Sequence, residues 1–359
     1  MNDPVIIVGA GVIGCAIARE LSVRGVRCTV IDPRPIGGGA TQASAGMLAP
    51  YVEAHAGGPM LALCVRSLEL YESAYVQSVR NEGFDIDHEL IGTLEIALSD
   101  AQAATLRNGV MGGWLEPHVI AETYPFLCST FGAFTSEEGG YVDPPQLTRA
   151  LAGSAERHGG TFRVGRVEAI SRDGDGVRVV VNGECLAADR VVLAAGAWTN
   201  QIEGIRRPPL RPVRGQLLKM RSPVFGLGLL LPTIMWGPDC YIVPRYRDGT
   251  VLVGATVEEA GFDERTTDEG VSGLLAAARR LIPALTADML IEARVGLRPA
   301  TPDELPVLGA DPEIPGLLHA SGHYRNGVLL APITGQLIAD LVLGESPDEA
   351  LQHFRPDRF

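Results

Sequence analysis

The sequence lacks the side-chain groupings that mark a metal site or a disulfide framework. Its six cysteines are scattered with no CxxC pair, and no histidine cluster has the spacing of zinc ligands. These absences argue against a zinc-stabilised module and a disulfide-linked secreted domain, and we expect no bound metal. Single, scattered thiols are typical of a reducing compartment, so the sequence predicts a cytoplasmic protein.

Positive charge is also scarce, since 30 lysines and arginines face 43 aspartates and glutamates, for a net charge of −13. A surface of this sign repels phosphate backbones and anionic lipid headgroups. We therefore expect neither nucleic acid nor a membrane among the partners. The apolar run near the N-terminus is broken by glycines, has no basic segment before it and is too short to span a bilayer.

The first 32 residues carry the most informative pattern. A continuous apolar run, VIIV, precedes Gly9-x-Gly11-x-x-Gly14, a helix-spaced apolar segment follows, and a second apolar strand ends at Asp32. This β–turn–α–β order is the fingerprint of a dinucleotide-binding unit. Gly9 permits the tight turn, Gly11 lets a pyrophosphate approach the backbone, and Gly14 allows close helix–strand packing. Asp32 is placed to accept hydrogen bonds from ribose hydroxyls.

The segment after Asp32 favours FAD over a nicotinamide cofactor. Both cofactors use the glycine fingerprint, but a nicotinamide domain continues through further regular βα units. Here the chain continues as PRPIGGGATQASAGMLAP, which is rich in glycine and other small residues. We expect this segment to run beside an extended cofactor.

The rest of the sequence alternates between patterns typical of helices and patterns typical of strands. We expect helices over about 60–82, 100–108, 145–158 and 269–282, strands over about 90–99 and 161–164, and a buried strand that ends at Ala195-Gly196. The sequence therefore predicts an α/β fold, with a Rossmann-like FAD-binding domain and a second, α+β substrate domain on a mostly antiparallel sheet. We assign residues 1–85, 140–204 and 294–359 to the first domain, and 86–139 and 205–293 to the second.

Nine motifs, spread over essentially the whole chain, carry a family likeness. They are GAGVIG, TQASAGML, GYVDP, AAGAW, PVRGQ, CYIVPR, GATVE, GLRPATPD and GHYRNGVLLAPITG. With them the chain resembles the D-amino-acid-oxidase-like flavoproteins of the GR2 type, and among these the bacterial glycine oxidases of thiamine biosynthesis.

The resemblance implies a non-covalent FAD, because covalent relatives attach the flavin to a cysteine near the TPD motif and residues 296–330 contain none. With the glycine fingerprint, it implies cofactor contacts at Gly9, Gly11, Val12, Ile13, Gly14, Asp32, Pro33, Ala40, Thr41, Ala45, Gly46, Met47, Val167, Ala195, Gly196, Trp198, His323, Tyr324, Asn326, Gly327, Val328 and Leu329. For His323 we expect a structural contact with the flavin rather than acid–base catalysis.

The resemblance also implies a substrate site at Arg325, Arg298 and Tyr241. Arg325 would pair with a substrate carboxylate, Arg298 would reinforce it, and Tyr241 would add a hydroxyl. Both arginines lie in apolar, glycine-flanked stretches, where an unpaired cation is costly and calls for an anion. Because the apolar run after GHYRNG is expected to be helical, Arg325 is predicted at or just before a helix N-terminus. The resemblance implies that it belongs to a loop that wraps one end of the flavin, where Gly322 and Gly327 permit close approach.

The implied reaction is oxidative deamination of glycine or another small amine. A hydride passes from the substrate Cα to flavin N5, the imine hydrolyses, and O₂ is reduced to H₂O₂; the family also suggests a homo-oligomer. Asp239 and Val257 depart from the family pattern and are candidates for the pocket wall, although Asp239 equally suits a loop facing water. The alternatives are a dehydrogenase that passes electrons to another acceptor and a non-catalytic FAD-binding protein.

Overall fold

The structure is a computed structural model that describes residues 5–53, 57–107, 113–174, 176–223 and 231–359. Its strands are β1 (Val5–Val8), β2 (Cys28–Asp32), β3 (Met47–Leu48), β4 (His88–Leu90), β5 (Thr93–Ile96), β6 (Gly113–Leu115), β7 (Ala133–Ser136), β8 (Gly140–Val142), β9 (Thr161–Val164), β10 (Val167–Asp173), β11 (Gly176–Val181), β12 (Glu184–Ala188), β13 (Arg190–Leu193), β14 (Arg211–Arg221), β15 (Ile234–Trp236), β16 (Tyr241–Arg245), β17 (Thr250–Gly254), β18 (Leu290–Ala300), β19 (Val307–Ala310) and β20 (Leu317–Ser321).

The α-helices are α1 (Val12–Val23), α2 (Pro50–Glu53), α3 (Gly58–Leu70), α4 (Val76–Asn81), α5 (Asp100–Arg107), α6 (Pro117–Thr123), α7 (Pro144–Arg157), α8 (Asp268–Leu281) and α9 (Ala331–Leu343). Short 3-10 helices cover Ala40–Ala43, Gly196–Gln201, Ala287–Met289, Glu349–His353 and Pro356–Arg358, and a π-helical turn covers Tyr71–Tyr75. None of the described helices is long and apolar enough to cross a membrane.

A six-stranded sheet in the order β19-β20-β13-β1-β2-β9 forms the first layer of the fold. All neighbouring pairs are parallel except β19–β20. Because both faces are covered, β1 is buried along its whole length, as its VIIV sequence predicts. Helices α1, α7 and α9 contribute to the core on one face, and the ribbon β10–β11–β12 packs against the other.

An eight-stranded sheet in the order β18-β14-β17-β16-β15-β5-β7-β6 forms the second large layer. Its strands are antiparallel except for the parallel pair β15–β5. Helix α8 buries an apolar stripe against this sheet, through Leu274, Ala277, Ala278 and Leu281. The predicted fold class, a Rossmann-like domain beside a mostly antiparallel sheet, is therefore confirmed.

The predicted domain division follows these two sheets with one exception. Strand β18 begins at Leu290 and continues to Ala300, so the boundary placed between residues 293 and 294 falls inside a strand. Its long pairing with β14 joins residues on both sides of that boundary. The division into two domains stays a prediction.

Two helices differ from their sequence-based bounds. The helix expected over about 60–82 is interrupted by the π-helical turn between α3 and α4. The last helix begins at Ala331, and residues 324–330 form turns, in which Asn326 N donates to His323 O at 2.9 Å. Proline at position 332 suits the first turn of a helix, where its missing N–H costs nothing. Arg325 therefore lies six residues before the helix, in a turn.

Candidate active site

A cavity of about 640 Å³ is lined by residues of both large sheets. It opens at the carboxyl ends of β1, β2, β13 and β20, which is where ligands bind in open parallel sheets. The predicted site residues that line it are Gly9, Gly11, Val12, Ile13, Asp32, Pro33, Ala40, Thr41, Ala45, Gly46, Met47, Val167, Ala195, Gly196, Trp198, Tyr241, Arg298, His323, Tyr324, Arg325, Asn326, Gly327 and Val328.

Two predicted contacts, Gly14 and Leu329, are not among the lining residues. A Cβ on Gly14 would lie 1.9 Å from the Gly9 carbonyl oxygen, so Gly14 permits the close packing that the fingerprint predicts for it. Leu329 is buried in the core, and its carbonyl accepts a hydrogen bond from Ser67 Oγ at 2.6 Å. Leu329 therefore supports the lining loop from behind.

The glycine turn leads into one end of the cavity. Gly9 has a φ of 112°, and a Cβ there would lie 2.4 Å from the Ala194 carbonyl oxygen, so only glycine fits. Helix α1 starts just beyond, with no acidic residue in its first turn. The uncompensated positive end of that helix favours a phosphate group at this position.

Asp32 is held at the edge of the same end. Its two carboxylate oxygens accept hydrogen bonds from the backbone N–H groups of Ala10 and Arg34, each at 2.7 Å. Each oxygen keeps a lone pair for a further donor. This geometry suits hydrogen bonds from ribose hydroxyls, the role that the sequence predicts for Asp32.

The loop after β20 lines the other end of the cavity, and the side chains of Asn326 and His323 indicate what that end can bind. Asn326 lines the cavity, and its buried Oδ1 has no hydrogen-bond partner among the described residues. An orphaned buried acceptor is costly unless a bound molecule supplies a donor. His323 Nε2 lies 3.1 Å from Thr334 Oγ1, and complete burial lowers the pKa of His323 to about 3. Such a weak base is a poor proton acceptor at neutral pH.

Arg298, Tyr241 and Arg325 come together at this end. Arg298 Nη1 donates to the Thr256 carbonyl oxygen at 3.0 Å. The Arg325 guanidinium carbon lies 5.7 Å from the ring centroid of Trp236, and the Trp236 ring lies 5.3 Å from the ring of Tyr241. Two cations and a phenol hydroxyl thus converge on one cavity, which is a suitable arrangement for a small carboxylate.

Sequence reasoning missed three residues that shape this end. A Cβ on Gly215 would lie 2.1 Å from Arg298 Nη1, and a Cβ on Gly254 would lie 2.3 Å from the Tyr241 hydroxyl oxygen. Both glycines lie inside strands, a position that often marks close approach by another group. Trp236 gave no comparable signal, because an aromatic residue in a strand is common.

Asp239 and Val257, the candidates for the pocket wall, are not among the cavity-lining residues. Asp239 lies in the turn before β16, and its exposed carboxylate forms an ion pair with Arg280 of α8. Val257 follows β17 with 59% of its surface exposed. Asp239 is therefore a loop residue facing water, and we assign neither residue to the selection of the amine.

The profile of the family described as FAD dependent oxidoreductase matches residues 4–341 of the chain. The chain belongs to this family. The predicted FAD cofactor is thereby confirmed, and the residues fit it, with a glycine-lined helix N-terminus, a carboxylate suited to ribose hydroxyls and an orphaned amide oxygen along one cavity. No cysteine is among the described residues that line the cavity of this oxidoreductase.

Individual relatives show which members of the family the chain resembles. A glycine oxidase of Geobacillus kaustophilus (strain HTA426) is 35% identical, over 94% of this chain and 92% of its own. A crystal structure of glycine oxidase from Geobacillus kaustophilus superposes with a TM-score of 0.93 at 34% identity, covering 99% of this chain and 98% of the other. The predicted resemblance to glycine oxidases is confirmed.

A second kind of relative is longer than this chain. A bifunctional protein ThiO/ThiG of Nostoc sp. (strain PCC 7120 / SAG 25.82 / UTEX 2576) is 38% identical over 100% of this chain but only 55% of its own length. The chain therefore spans about half the length of the bifunctional relatives that it matches.

Proposed function

We propose that this oxidoreductase oxidises glycine or another small amino acid. The observation that carries the proposal is the cluster of Arg298, Arg325 and Tyr241 at one end of the cavity. FAD is a neutral ring system at its reactive end and does not need two guanidinium groups. Arg325 is exposed and Arg298 half-buried, so the argument rests on the convergence of two guanidinium groups and not on burial. A substrate carboxylate would match them by charge and by bidentate hydrogen bonding.

Within the proposal, FAD would supply the oxidising power, as the acceptor of a hydride from the substrate Cα. Arg325 binds the carboxylate, Arg298 supports it from its fixed position beside Thr256, and Tyr241 donates a hydroxyl hydrogen bond to the same group. These three side chains would hold the substrate with little freedom of its Cα. Positioning of this kind supplies roughly 7–11 kcal/mol of barrier reduction.

Among the described residues that line the cavity, we identify no general base for the hydride transfer. His323 is too weak a base, and its Nε2 is engaged with Thr334. The substrate would have to present its amine in the neutral form, which becomes more abundant as the pH rises. We infer that rate depends on pH through the substrate amine rather than through a histidine.

The glycine oxidase relatives support O₂ as the acceptor, with H₂O₂ as the product, and an imine that hydrolyses on release. The resemblance to the oxidases of thiamine biosynthesis supports a role in supplying the imine, or the glyoxylate formed from it, to the thiamine thiazole. None of the six cysteines, all of which lie in the described part of the chain, forms a disulfide bond, which favours a cytoplasmic location. A homo-oligomer is proposed from the family likeness alone, and light scattering of the purified protein tests it.

The experiment that tests the proposal is anaerobic reduction of the bound flavin by a panel of amines. Glycine, sarcosine and small D-amino acids should bleach the flavin, whereas the corresponding amines without a carboxylate should not. Reduction only by bulky or anionic side chains would overturn the preference for small substrates. Failure of every amine to bleach the flavin would instead favour a non-catalytic FAD-binding protein.

A second measurement separates an oxidase from a dehydrogenase. In air, an oxidase should form one H₂O₂ for each substrate consumed, without an added acceptor. Substrate turnover that requires a quinone or another carrier, with no peroxide, would assign the protein to the dehydrogenases. The amine panel remains informative in either case, because it measures only the reductive half-reaction.

A further inference from the structure

Arg245 is a buried cation just behind the cavity wall. It is the last residue of β16 and only 3% exposed. Tyr241, four residues earlier in the same strand, lines the cavity. Residues two and four apart in a strand share a face, so Arg245 lies on the side of the sheet that Tyr241 occupies.

The Arg245 guanidinium has few direct partners. Its Nη2 donates to the Ala45 carbonyl oxygen at 2.6 Å, and its Cζ lies 4.2 Å from the ring centroid of Tyr141. Its buried Nε and Nη1 have no hydrogen-bond partner among the described residues. Burial lowers the pKa of Arg245, and the carboxylates of Asp143 and Asp87 oppose this effect from a longer distance.

The group that Arg245 holds is part of the cavity wall. Ala45, Gly46 and Met47 line the cavity one after another. Gly46 is fixed from the other side, because its carbonyl accepts from Val142 N at 2.9 Å and a Cβ on it would lie 1.9 Å from the Val142 carbonyl oxygen. Arg245 thus completes the support of a wall segment that packs in one apolar cluster with Tyr241, at the cavity end proposed to hold the reactive part of FAD.

We propose that Arg245 is a positioning residue for the flavin, which fixes the Ala45 carbonyl at the cavity wall and provides a buried positive charge that favours the reduced cofactor. Accepting a hydride adds two electrons and one proton to oxidised FAD, so the bound flavin gains one negative charge. A cation in the protein interior stabilises that charge over a longer range than it would in water. Burying an arginine costs free energy of folding, and stabilisation of the reduced cofactor would offset part of that cost.

The proposal depends on FAD binding and not on the amino-acid substrate. Its test therefore uses two properties of the bound flavin, the dissociation constant for sulfite and the two-electron midpoint potential. Sulfite adds to oxidised flavin at N5 and leaves a negative charge on the ring, as hydride does. Failure of every amino acid to reduce the flavin would leave both measurements possible.

Two substitutions separate the charge from the hydrogen bond. Arg245→Gln keeps an N–H donor but removes the charge, and Arg245→Lys keeps the charge but loses the planar fork. With Arg245→Gln, sulfite should bind on the order of tenfold more weakly and the potential should fall by about 30 mV, the two-electron equivalent of tenfold. With Arg245→Lys, both values should stay close to those of the unaltered protein.

Arg247→Gln is the matched control, because Arg247 lies just beyond β16 with 42% of its side chain exposed and pairs with Asp85 and Asp87 rather than with the cavity wall. It removes the same charge from the protein and should change neither value. Equal shifts in Arg245→Gln and Arg245→Lys would show that the charge is not the cause. An unchanged potential and sulfite affinity in Arg245→Gln, or an equal shift in Arg247→Gln, would also overturn the proposal.

Arg245→Lys alone tests the proposal if Arg245→Gln does not retain FAD. A buried lysine loses its proton at a lower pH than arginine does. Sulfite affinity of Arg245→Lys should therefore fall more steeply with rising pH than that of the unaltered holoprotein. The same pH dependence in both proteins would contradict a role for the charge.

Discussion

Arg298 depends on the absence of a side chain in the neighbouring strand. Its guanidinium occupies the space where a Cβ of Gly215 would lie, and its Nη1 is fixed by the Thr256 carbonyl. Val213 of β14 is the residue paired with Arg298 in β18, so Gly215 lies two residues along on the same face. The position of a proposed substrate-binding group is thus decided by a residue that has no side chain.

Gly215→Ala should displace Arg298 while leaving the fold intact, because the clash is with the mobile end of a side chain. We expect kcat/KM for the best substrate to fall on the order of 100-fold, since misplacement by about 1 Å has effects of this size. The free energy of unfolding should change little. Gly273→Ala, in α8 where a Cβ would meet nothing within 4 Å, is the control and should leave kcat/KM unaltered.

Arg325→Ala tests the proposed carboxylate anchor. Loss of a charge-assisted hydrogen bond of about 1.5–3 kcal/mol should lower kcat/KM for glycine on the order of 10- to 100-fold, with FAD still bound. Steady-state kinetics and the flavin absorbance of the purified protein measure the two effects separately. The kcat/KM of Arg325→Lys should lie between the values of the unaltered protein and of Arg325→Ala, because lysine keeps the charge without the bidentate fork. Loss of FAD with unchanged kinetics of the remaining holoenzyme would contradict the assignment.

At the scale of elements, the segment after β17 contacts two residues that line the cavity, Arg34 and Trp198. Glu264 of this segment forms a bidentate ion pair with Arg34, at 2.8 Å for both oxygens. Arg34 lines the cavity and lies with its Cζ 4.1 Å from the ring centroid of Trp198. The pair therefore connects the segment after β17 with the chain that follows β2.

Glu264→Gln should increase the rate of FAD dissociation up to about fivefold. Both partners are about one-third exposed, so the pair is worth only about 0.2–1 kcal/mol. Recovery of flavin fluorescence after dilution measures the rate. Glu259→Gln breaks a more exposed pair with Arg211 close by and should leave the rate unchanged. A rate equal to that of the unaltered protein in Glu264→Gln would show that the pair does not retain the cofactor.

At the scale of the whole molecule, burial of His323 makes stability depend on pH. Burial lowers the pKa of His323 from its usual 6.5 to about 3. As the pH falls below about 6.5, the unfolded chain binds a proton at this residue and the folded chain does not. The free energy of unfolding therefore decreases as the pH is lowered. His323 alone contributes a decrease of roughly 2 kcal/mol between pH 6.5 and pH 5.

His323→Asn should remove that contribution. In urea unfolding at saturating FAD, the loss of stability between pH 7 and 5 should be roughly 2 kcal/mol smaller than in the unaltered protein. His118→Asn, at an exposed position, is the control and should keep the full loss. An identical loss in His323→Asn would mean that His323 takes up a proton in the folded state.

The sequence alone predicted the dinucleotide turn and the two-layer fold class. The family motifs singled out Arg298, Arg325 and Tyr241, whose shared role at the substrate stays a prediction. Glycines at required positions, continuous apolar strands and family motifs are local signals, and each can be read without knowing its neighbours. The start of α9 was harder to predict from the sequence. An apolar run can form irregular turns instead of the first turn of a helix when the loop residues hydrogen-bond to one another, as Asn326 N does to His323 O.

Only the tertiary structure decided what lies beside each residue. It turned Asp239 outwards to Arg280, left Val257 exposed, and brought Gly215 against Arg298 from a strand far away in sequence. It also buried Arg245 behind Ala45, across 200 positions of chain. These relations arise from the pairing of strands across two sheets, which no local pattern encodes, because a side chain's energy depends on burial and partners that only the assembled fold provides.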